Sequence, residues 1–316
     1  MVYYFSGSLT RKMIDMLSKM PKYEPIDVLV SQLDRGSIKN MLEYKSEGLI
    51  NRLFIDSGAF SFHTGKATLD LEEYISFVNS IDDKIEIFAQ VDTIPGKFRQ
   101  PKSHEDYIES AKLSWENYLY MRRKVKSPHK LTPIFHHGED FSTLENILEW
   151  RDTDGDWVRY MGLSPANDRS QGDKNIYLDA CYDIIEKSSN PDVKTHLYGM
   201  TSIPSLYKIP AYSVDSIAHR HISGYNKIKI PKWGVVSITK RSRSSKAKSN
   251  QSVELLFDDA AMKDLTDYLD YLGTSLEECQ ESVHARCAVT MYTIMQEVKD
   301  INTKGVVRNK KVKKLF

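Results

Sequence analysis

The sequence predicts an α/β fold, a (β/α)8 TIM-type barrel with C-terminal helices, on three observations. Short apolar runs alternate with helical segments at a cadence that calls for βαβ units and a parallel sheet. From Ile26 onward there are eight such runs, and 316 residues are long for one compact domain unless it is an α/β barrel. The polar residues that end several runs would share one face of a barrel, where strands give way to βα loops. A doubly wound sheet, the alternative, would scatter them.

Val2–Ser6 reads as a short β-type run, an extra or alternative first strand, followed by a helical segment over 9–20. Strand Ile26–Ser31 precedes a helix over 36–46, and strand 53–56 leads to a helix from about 70, where Asp70 and Glu73 make a capping signature. Strand 85–92 is followed by helix 103–125 with Ser103 as N-cap. Strand 131–136 precedes a helix running to Trp150, with Ser142 and Glu145 as its capping box. Strand 157–163, helix 173–188, strand 194–200, a short helix begun by Pro204, strand 211–215, helix 217–225 and strand 233–239 complete the count. Residues 241–252 read as a polar, basic loop. Helices 258–272 and 275–299 close the chain. Residues 1–300 thus form a single barrel domain with its closing helices, and 301–316 a basic tail.

Composition excludes several classes. Hydrophobic content of 41% and charged content of 28% are ordinary for a globular chain, and no apolar run is long enough to span a bilayer. The opening Met-Val-Tyr-Tyr-Phe-Ser-Gly-Ser lacks a charged n-region and an apolar h-region, so a cytoplasmic protein is expected. Three cysteines, Cys181, Cys279 and Cys287, are too scattered for a disulfide framework, and their spacing around His284 fits no zinc site. No metal is expected. A net charge of +1 decides nothing, but Lys240, Arg241, Arg243, Lys246 and Lys248 cluster in the Ser-rich loop, and Lys304, Arg308, Lys310, Lys311, Lys313 and Lys314 lie in the tail. The loop is the candidate nucleic-acid contact, through phosphate neutralisation.

Two stretches carry the chemistry. Ala211-Tyr-Ser-Val-Asp-Ser-Ile-Ala-His219 is a buried strand with Asp215 at its C-terminal end, and Arg52-Leu-Phe-Ile-Asp-Ser-Gly-Ala-Phe60 repeats that grammar with Asp56. Paired strand-end carboxylates suit displacement at a sugar C1′, one as nucleophile and one as proton shuttle. In a barrel Asp56, Asp92, His136, Gly162, Tyr198 and Asp215 would converge on one pocket. His136-His137 could instead be half of a metal site, as in a metal-dependent barrel hydrolase, but no second histidine pair accompanies them.

Asp56-Ser-Gly-Ala-Phe60, Gln90-Val-Asp92, Phe135-His-His-Gly138, Tyr160-Met-Gly-Leu163, His196-Leu-Tyr-Gly199 and Val214-Asp-Ser-Ile217 stand in order across 52–220. Together they resemble the blocks of the tRNA-guanine transglycosylase superfamily, and within it the phage and bacterial branch that inserts 7-deazaguanines into DNA. The resemblance implies a pentosyltransferase with Asp215 as covalent nucleophile and Asp56 as general acid/base. It makes Ser57, Gly58, Phe60, Asp92, His136, Gly162, Leu163, Tyr198 and Gly199 the substrate site. Phe60 and Tyr198 would stack the base, Asp92 would accept from the guanine edge, His136 would stand where the family has a base-reading glutamine, and the Gly162-Leu163 backbone would touch the base. Ala59 replaces a family glycine. The Cys-x-Cys-x-x-Cys and His zinc subdomain of the tRNA enzymes has no counterpart after residue 240. The implied substrates are DNA, with tRNA as alternative, and a free 7-deazaguanine base such as 7-cyano-7-deazaguanine, without cofactor, in the bacterial cytoplasm. The rival from another class is a non-catalytic nucleic-acid-binding barrel subunit.

Overall fold

The computed structural model describes residues 1–65, 70–97, 100–166, 168–200, 202–239, 252–306 and 308. Apolar, β-branched and aromatic runs form nine parallel strand segments: β1 Val2–Ser6, β2 Ile26–Ser31, β3 Ile50–Asp56, β4 Ile87–Ala89, β5 Leu131–Thr132, β6 Ile134–His136, β7 Tyr160–Ser164, β8 Lys194–Leu197 and β9 Ser213–Ser216. Their order, β5-β4-β3-β2-β1-β9-β8-β7-β6, brings the two ends of the sheet to either side of Pro133. Proline has no N–H for a ladder. Pairing therefore changes partner there: Phe88 and Ala89 register with Leu131 and Thr132, whereas Ile134, Phe135 and His136 register with Gly162, Leu163 and Ser164. The Gly162 N–H still donates to the Pro133 carbonyl at 2.7 Å. The result is a nearly closed parallel barrel, consistent with the TIM type.

The strand count from Ile26 is corrected at both ends. Val2–Ser6 lies in the barrel wall between β2 and β9, with Tyr4 registered against both Asp27 and Asp215. The run at 233–239 lies outside it: β10 Lys227–Ile230 and β11 Gly234–Ser237 form a separate antiparallel pair. A wall strand is covered on both faces and needs a near-continuous apolar run. Val-Tyr-Tyr-Phe supplies one, while Val235 stays exposed.

Within the wall, alternate residues face alternate sides. Tyr4, Leu29, Phe54, Ile87, Ala89, Ile134 and Tyr160 form the interior cluster, and Phe5, Val28, Val30, Ile55 and Phe88 pack outward in the larger core. That outer layer is made by α1 Arg11–Ser18, α2 Arg35–Ser46, α3 Ala59–His63, α4 Leu71–Ser80, α5 His104–Arg122, α6 Phe141–Glu149, α7 Gln171–Ile185, α8 Ile203–Leu206 and α9 Ala218–Gly224. Asp70 and Ser103 cap α4 and α5 as expected, accepting from Glu73 N–H at 3.0 Å and Asp106 N–H at 3.2 Å. The cap of α6 is Asp140, which takes the Ser142 N–H at 2.8 Å and so starts the helix earlier than the Ser142–Glu145 box implied.

After β11 come α10 Val253–Leu256, α11 Asp259–Tyr271, α12 Leu276–Glu281 and α13 Val283–Lys304. The single helix expected over 275–299 is broken at Ser282, whose backbone is extended and whose side chain caps α13 through the Ala285 N–H at 3.3 Å. Buried Arg286 makes the break tolerable: it donates to the Cys279, Gln280 and Ser223 carbonyls at 2.8, 3.1 and 2.7 Å, satisfying groups a helix end would otherwise orphan. Packed on α1, α9 and β10, α13 runs to Lys304, past the boundary drawn at 300 for the basic tail. Among the described residues no helix is long and apolar enough to cross a membrane. All three cysteines are buried and free.

Candidate active site

Asp56 ends β3, and the turn after it is shaped by glycine. Gly58 sits at φ +80 with Leu33 Cδ1 2.8 Å from where a Cβ would stand, so a larger residue would strain the backbone and strike Leu33. From this turn the Gly58 N–H donates to Asp56 Oδ2 at 3.0 Å, and Ser57 Oγ donates to Asp92 Oδ1 at 3.3 Å. Burial, followed by the charge of Asp92, pushes the Asp56 carboxyl up to about 7; Asp215 adds to the rise and the Gly58 N–H opposes it. Phe60, in the short α3, is 58% exposed.

Asp92 follows β4 and meets His136 at the end of β6. The imidazole bridges two carboxylates, Nε2 to Asp92 Oδ2 at 2.8 Å and Nδ1 to Glu139 Oε1 at 2.9 Å. Burial alone would lower its pKa, but the hydrogen bonds to Asp92 and Glu139 outweigh it and raise His136 to about 10. A carboxylate oxygen on each ring nitrogen favours the doubly protonated ring. Neither nitrogen is left to read a base directly, so the geometry makes His136 a holder of Asp92. Glu139, not singled out from the sequence, is closed onto the same residue: its Oε2 accepts the His136 N–H at 3.1 Å across a turn at Gly138 (φ +106), where a Cβ would lie 2.5 Å from Tyr107 Cε1. The signal was present as a carboxylate three residues beyond a histidine, with a glycine between. His137 stacks on Tyr177 at 4.5 Å, away from this pair of acids.

Asp215 stands in β9, 7% exposed, where it accepts from the Gly199 N–H at 2.9 Å, from Ser6 Oγ, and from His196 Nε2 at 3.3 Å. The other ring nitrogen of His196 bonds Ser213 Oγ at 2.9 Å. Ser6 and His196 were also unassigned from sequence. Tyr198 lies over Gly162, whose absent Cβ would fall 2.6 Å from Tyr198 Cε2. The glycine makes room for the ring. Burial, then the charges of Asp56, Asp92 and Asp215, hold the Tyr198 hydroxyl well above its ordinary range, and that hydroxyl has no hydrogen-bond partner among the described residues. Leu163 is wholly buried, and its carbonyl accepts the Tyr198 N–H at 3.0 Å. The Gly162 N–H and the Leu163 carbonyl are thus both engaged within the barrel wall.

A cavity of about 440 Å³ opens over these groups, walled by Asp56, Phe60, Asp92, Ile134, His136 and Tyr198, with His63, Lys97 and Lys102 also lining it. Asp215 is not on that wall, but it lies within electrostatic reach of Asp56 and Tyr198. A larger groove of about 670 Å³ between α5 and α6 is lined by Ile108, Trp115 and Trp150 and contains none of these strand-end groups. Neither a family model nor a curated protein matches the chain. What the site offers chemically follows from the geometry alone. Asp56 can gain and lose a proton near neutrality, Asp215 is fixed by three donors, and Asp92 takes a hydroxyl and an imidazole on its two oxygens. Among the described residues no group of three or more His, Cys, Asp or Glu could hold a metal ion. The basic loop from Lys240 to Lys248 lies outside the described residues, as do Lys310, Lys311, Lys313 and Lys314. Lys304 pairs with Asp300 at 2.8 Å, and Arg308 is held by Asp183 and Glu186 of α7 at 2.6 and 2.5 Å.

Proposed function

We propose that the protein is a transglycosylase that exchanges guanine in DNA for a 7-deazaguanine derivative, working without cofactor in the bacterial cytoplasm. The same proposal takes 131–136 as one strand interrupted at Pro133, giving a (β/α)8 barrel with no zinc subdomain after it. The observation that carries the reading is a pair of carboxylates, Asp56 and Asp215, at the C-terminal ends of parallel strands and close enough for the second to perturb the first.

In this reading the guanine is turned out of the helix and stacked between Phe60 and Tyr198, with its N1–H and amino group on Asp92. The Asp56 carboxyl gives its proton to N7 as the glycosidic bond lengthens. Asp215 Oδ then bonds C1′, stabilising oxocarbenium character and capturing it as a glycosyl ester. The incoming base loses its proton to Asp56 and attacks C1′, releasing Asp215. A carboxyl titrating near 7 suits both duties of Asp56, because it is neither wholly protonated nor wholly ionised at neutral pH. A 7-deaza base has carbon where N7 was, so the exchange runs one way.

The test is to offer the full chain duplex DNA or tRNA with 7-cyano-7-deazaguanine and to analyse the released nucleosides by mass spectrometry. Incorporation into DNA is expected, and Asp215→Ala should abolish it. Undiminished exchange by that variant contradicts the mechanism, and incorporation confined to tRNA contradicts the substrate.

A further inference from the structure

We propose that Glu139 is a positioning residue which, acting through a doubly donating His136, keeps Asp92 an acceptor-only carboxylate and makes the cavity select bases with two adjacent N–H donors over bases with a donor beside an acceptor. The inference rests on the transglycosylase reading for the nature of the ligand, a purine-type base. Its basis is the bridge Glu139–His136–Asp92 at 2.9 and 2.8 Å. Two carboxylate oxygens face the two ring nitrogens, so both nitrogens carry hydrogen. Without Glu139 the ring could lose the Nε2 hydrogen and accept one from a protonated Asp92, reversing the polarity of the cavity wall.

Glu139 is placed to prevent that reversal. Its side chain is buried, and its second oxygen is tied to the His136 N–H at 3.1 Å, which keeps it from swinging away. Asp92 receives Ser57 Oγ on one oxygen and His136 on the other, each of which retains further lone pairs, and it lines the cavity. A guanine-type edge, N1–H beside an amino group, meets those lone pairs with hydrogens. An adenine-type edge sets a bare N1 against them, an unpaired and repulsive contact. The other titratable groups about the bridge are Asp56 and Tyr198 across the cavity and Tyr177 of α7, on which Glu139 acts.

The test is a double-mutant cycle on the full chain, read as the preference for guanine over adenine in equilibrium dialysis of the free bases. The His136 ring nitrogens are followed by NMR over about pH 6 to 8. Glu139→Gln is expected to reduce the preference about tenfold and to make His136 neutral within that range. His136→Gln leaves one N–H donor for Asp92 and no longer needs Glu139, so adding Glu139→Gln to it changes nothing further. An equal loss in both backgrounds, a neutral His136 in the wild type at neutral pH, or no guanine binding by the wild type overturns the proposal. A preference that follows the cycle in a protein that exchanges no base in DNA supports it, and sinks the transglycosylase reading instead.

Discussion

The two ends of the barrel hold the same kind of side chain in opposite electrical circumstances. Toward the N-terminal end of the strands, Asp27 faces Arg52 at 3.3 Å and takes the Asn51 amide at 3.1 Å, while the Tyr160 hydroxyl joins Glu86 at 3.4 Å. Burial pushes Asp27 up to about 6, and Arg52 restrains the rise. At the C-terminal end Asp56, Asp92 and Asp215 have no ion pair with Lys or Arg among the described residues; hydroxyls, backbone N–H groups and histidines surround them. One end compensates its charge. The other gathers three carboxylates with His136 on Asp92 and His196 on Asp215, leaving Asp56 without a cationic partner among the described residues, and a carboxyl that cannot relax by pairing is one that can trade a proton near neutrality.

The comparison is broken or sharpened most by removing one group from each end. On the proposed transglycosylase mechanism, Asp56→Asn is expected to lower the exchange rate by roughly 10²- to 10⁴-fold with the fold intact, since it would remove the proposed acid/base and leave no uncompensated charge. Arg52→Ala should leave exchange at the wild-type rate and destabilise the protein by roughly 2 kcal/mol, less than a fully buried pair because Arg52 is partly exposed. Label release from DNA and urea denaturation measure the two effects. If the variants trade signatures, the division between a working end and a structural end is wrong.

A smaller effect lies in pH dependence. The folded protein holds the Asp56 carboxyl near 7, above the ordinary 3.8, so its contribution to stability is complete below about pH 4 and is lost as pH rises through 7. Asp27 behaves likewise up to about 6. The Tm of Asp56→Asn should therefore gain on the wild type steadily between pH 4 and 7 and hold its lead above that. His136, raised to about 10, acts in a higher window: its contribution is complete below about 6.5 and fades as pH climbs through 10. A difference in Tm between Asp56→Asn and wild type that is flat from pH 4 to 8 means the Asp56 carboxyl is unperturbed.

How much of this was legible in the sequence depends on whether the deciding contact is local. Asp56 before Ser57-Gly58, the caps at Asp70 and Ser103 and most strand runs are settled within a few residues, and they were read correctly. The identity of the first strand was not, because Val2–Ser6 and Gly234–Ser237 are both short apolar runs and only the partner separates them: β1 pairs with a strand more than 200 residues away. The engagement of His136 by Asp92 spans 44 residues, and Ser6 reaches Asp215 across 209. Glycine at 162 is explained only by the Tyr198 ring that lies on it. The break at Ser282 interrupts an apolar pattern that continues on both sides, and it is Arg286 that makes the break affordable.

The smallest expected effect probes whether the two ends are independent. Lys194 lies over the rings of Tyr212 and Tyr160, at 4.6 and 5.2 Å from their centroids. Removing the cation by Lys194→Met should lower stability by only about 0.5–1 kcal/mol, as befits an exposed cation–π contact. Tyr212 immediately precedes β9, the strand that carries Asp215, so a shift of that ring is the shortest covalent route by which the N-terminal end could reach the carboxylates at the other. The wall between is a ladder of parallel pairs, with Tyr3, Tyr4 and Phe5 registered against Val214, Asp215 and Ser216, which should hold β9 in place. The pH profile of exchange is therefore expected to be the same in wild type and Lys194→Met. A profile displaced along the pH axis would mean that charge at one end sets proton affinity at the other, and that the barrel wall couples the regions it was taken to separate.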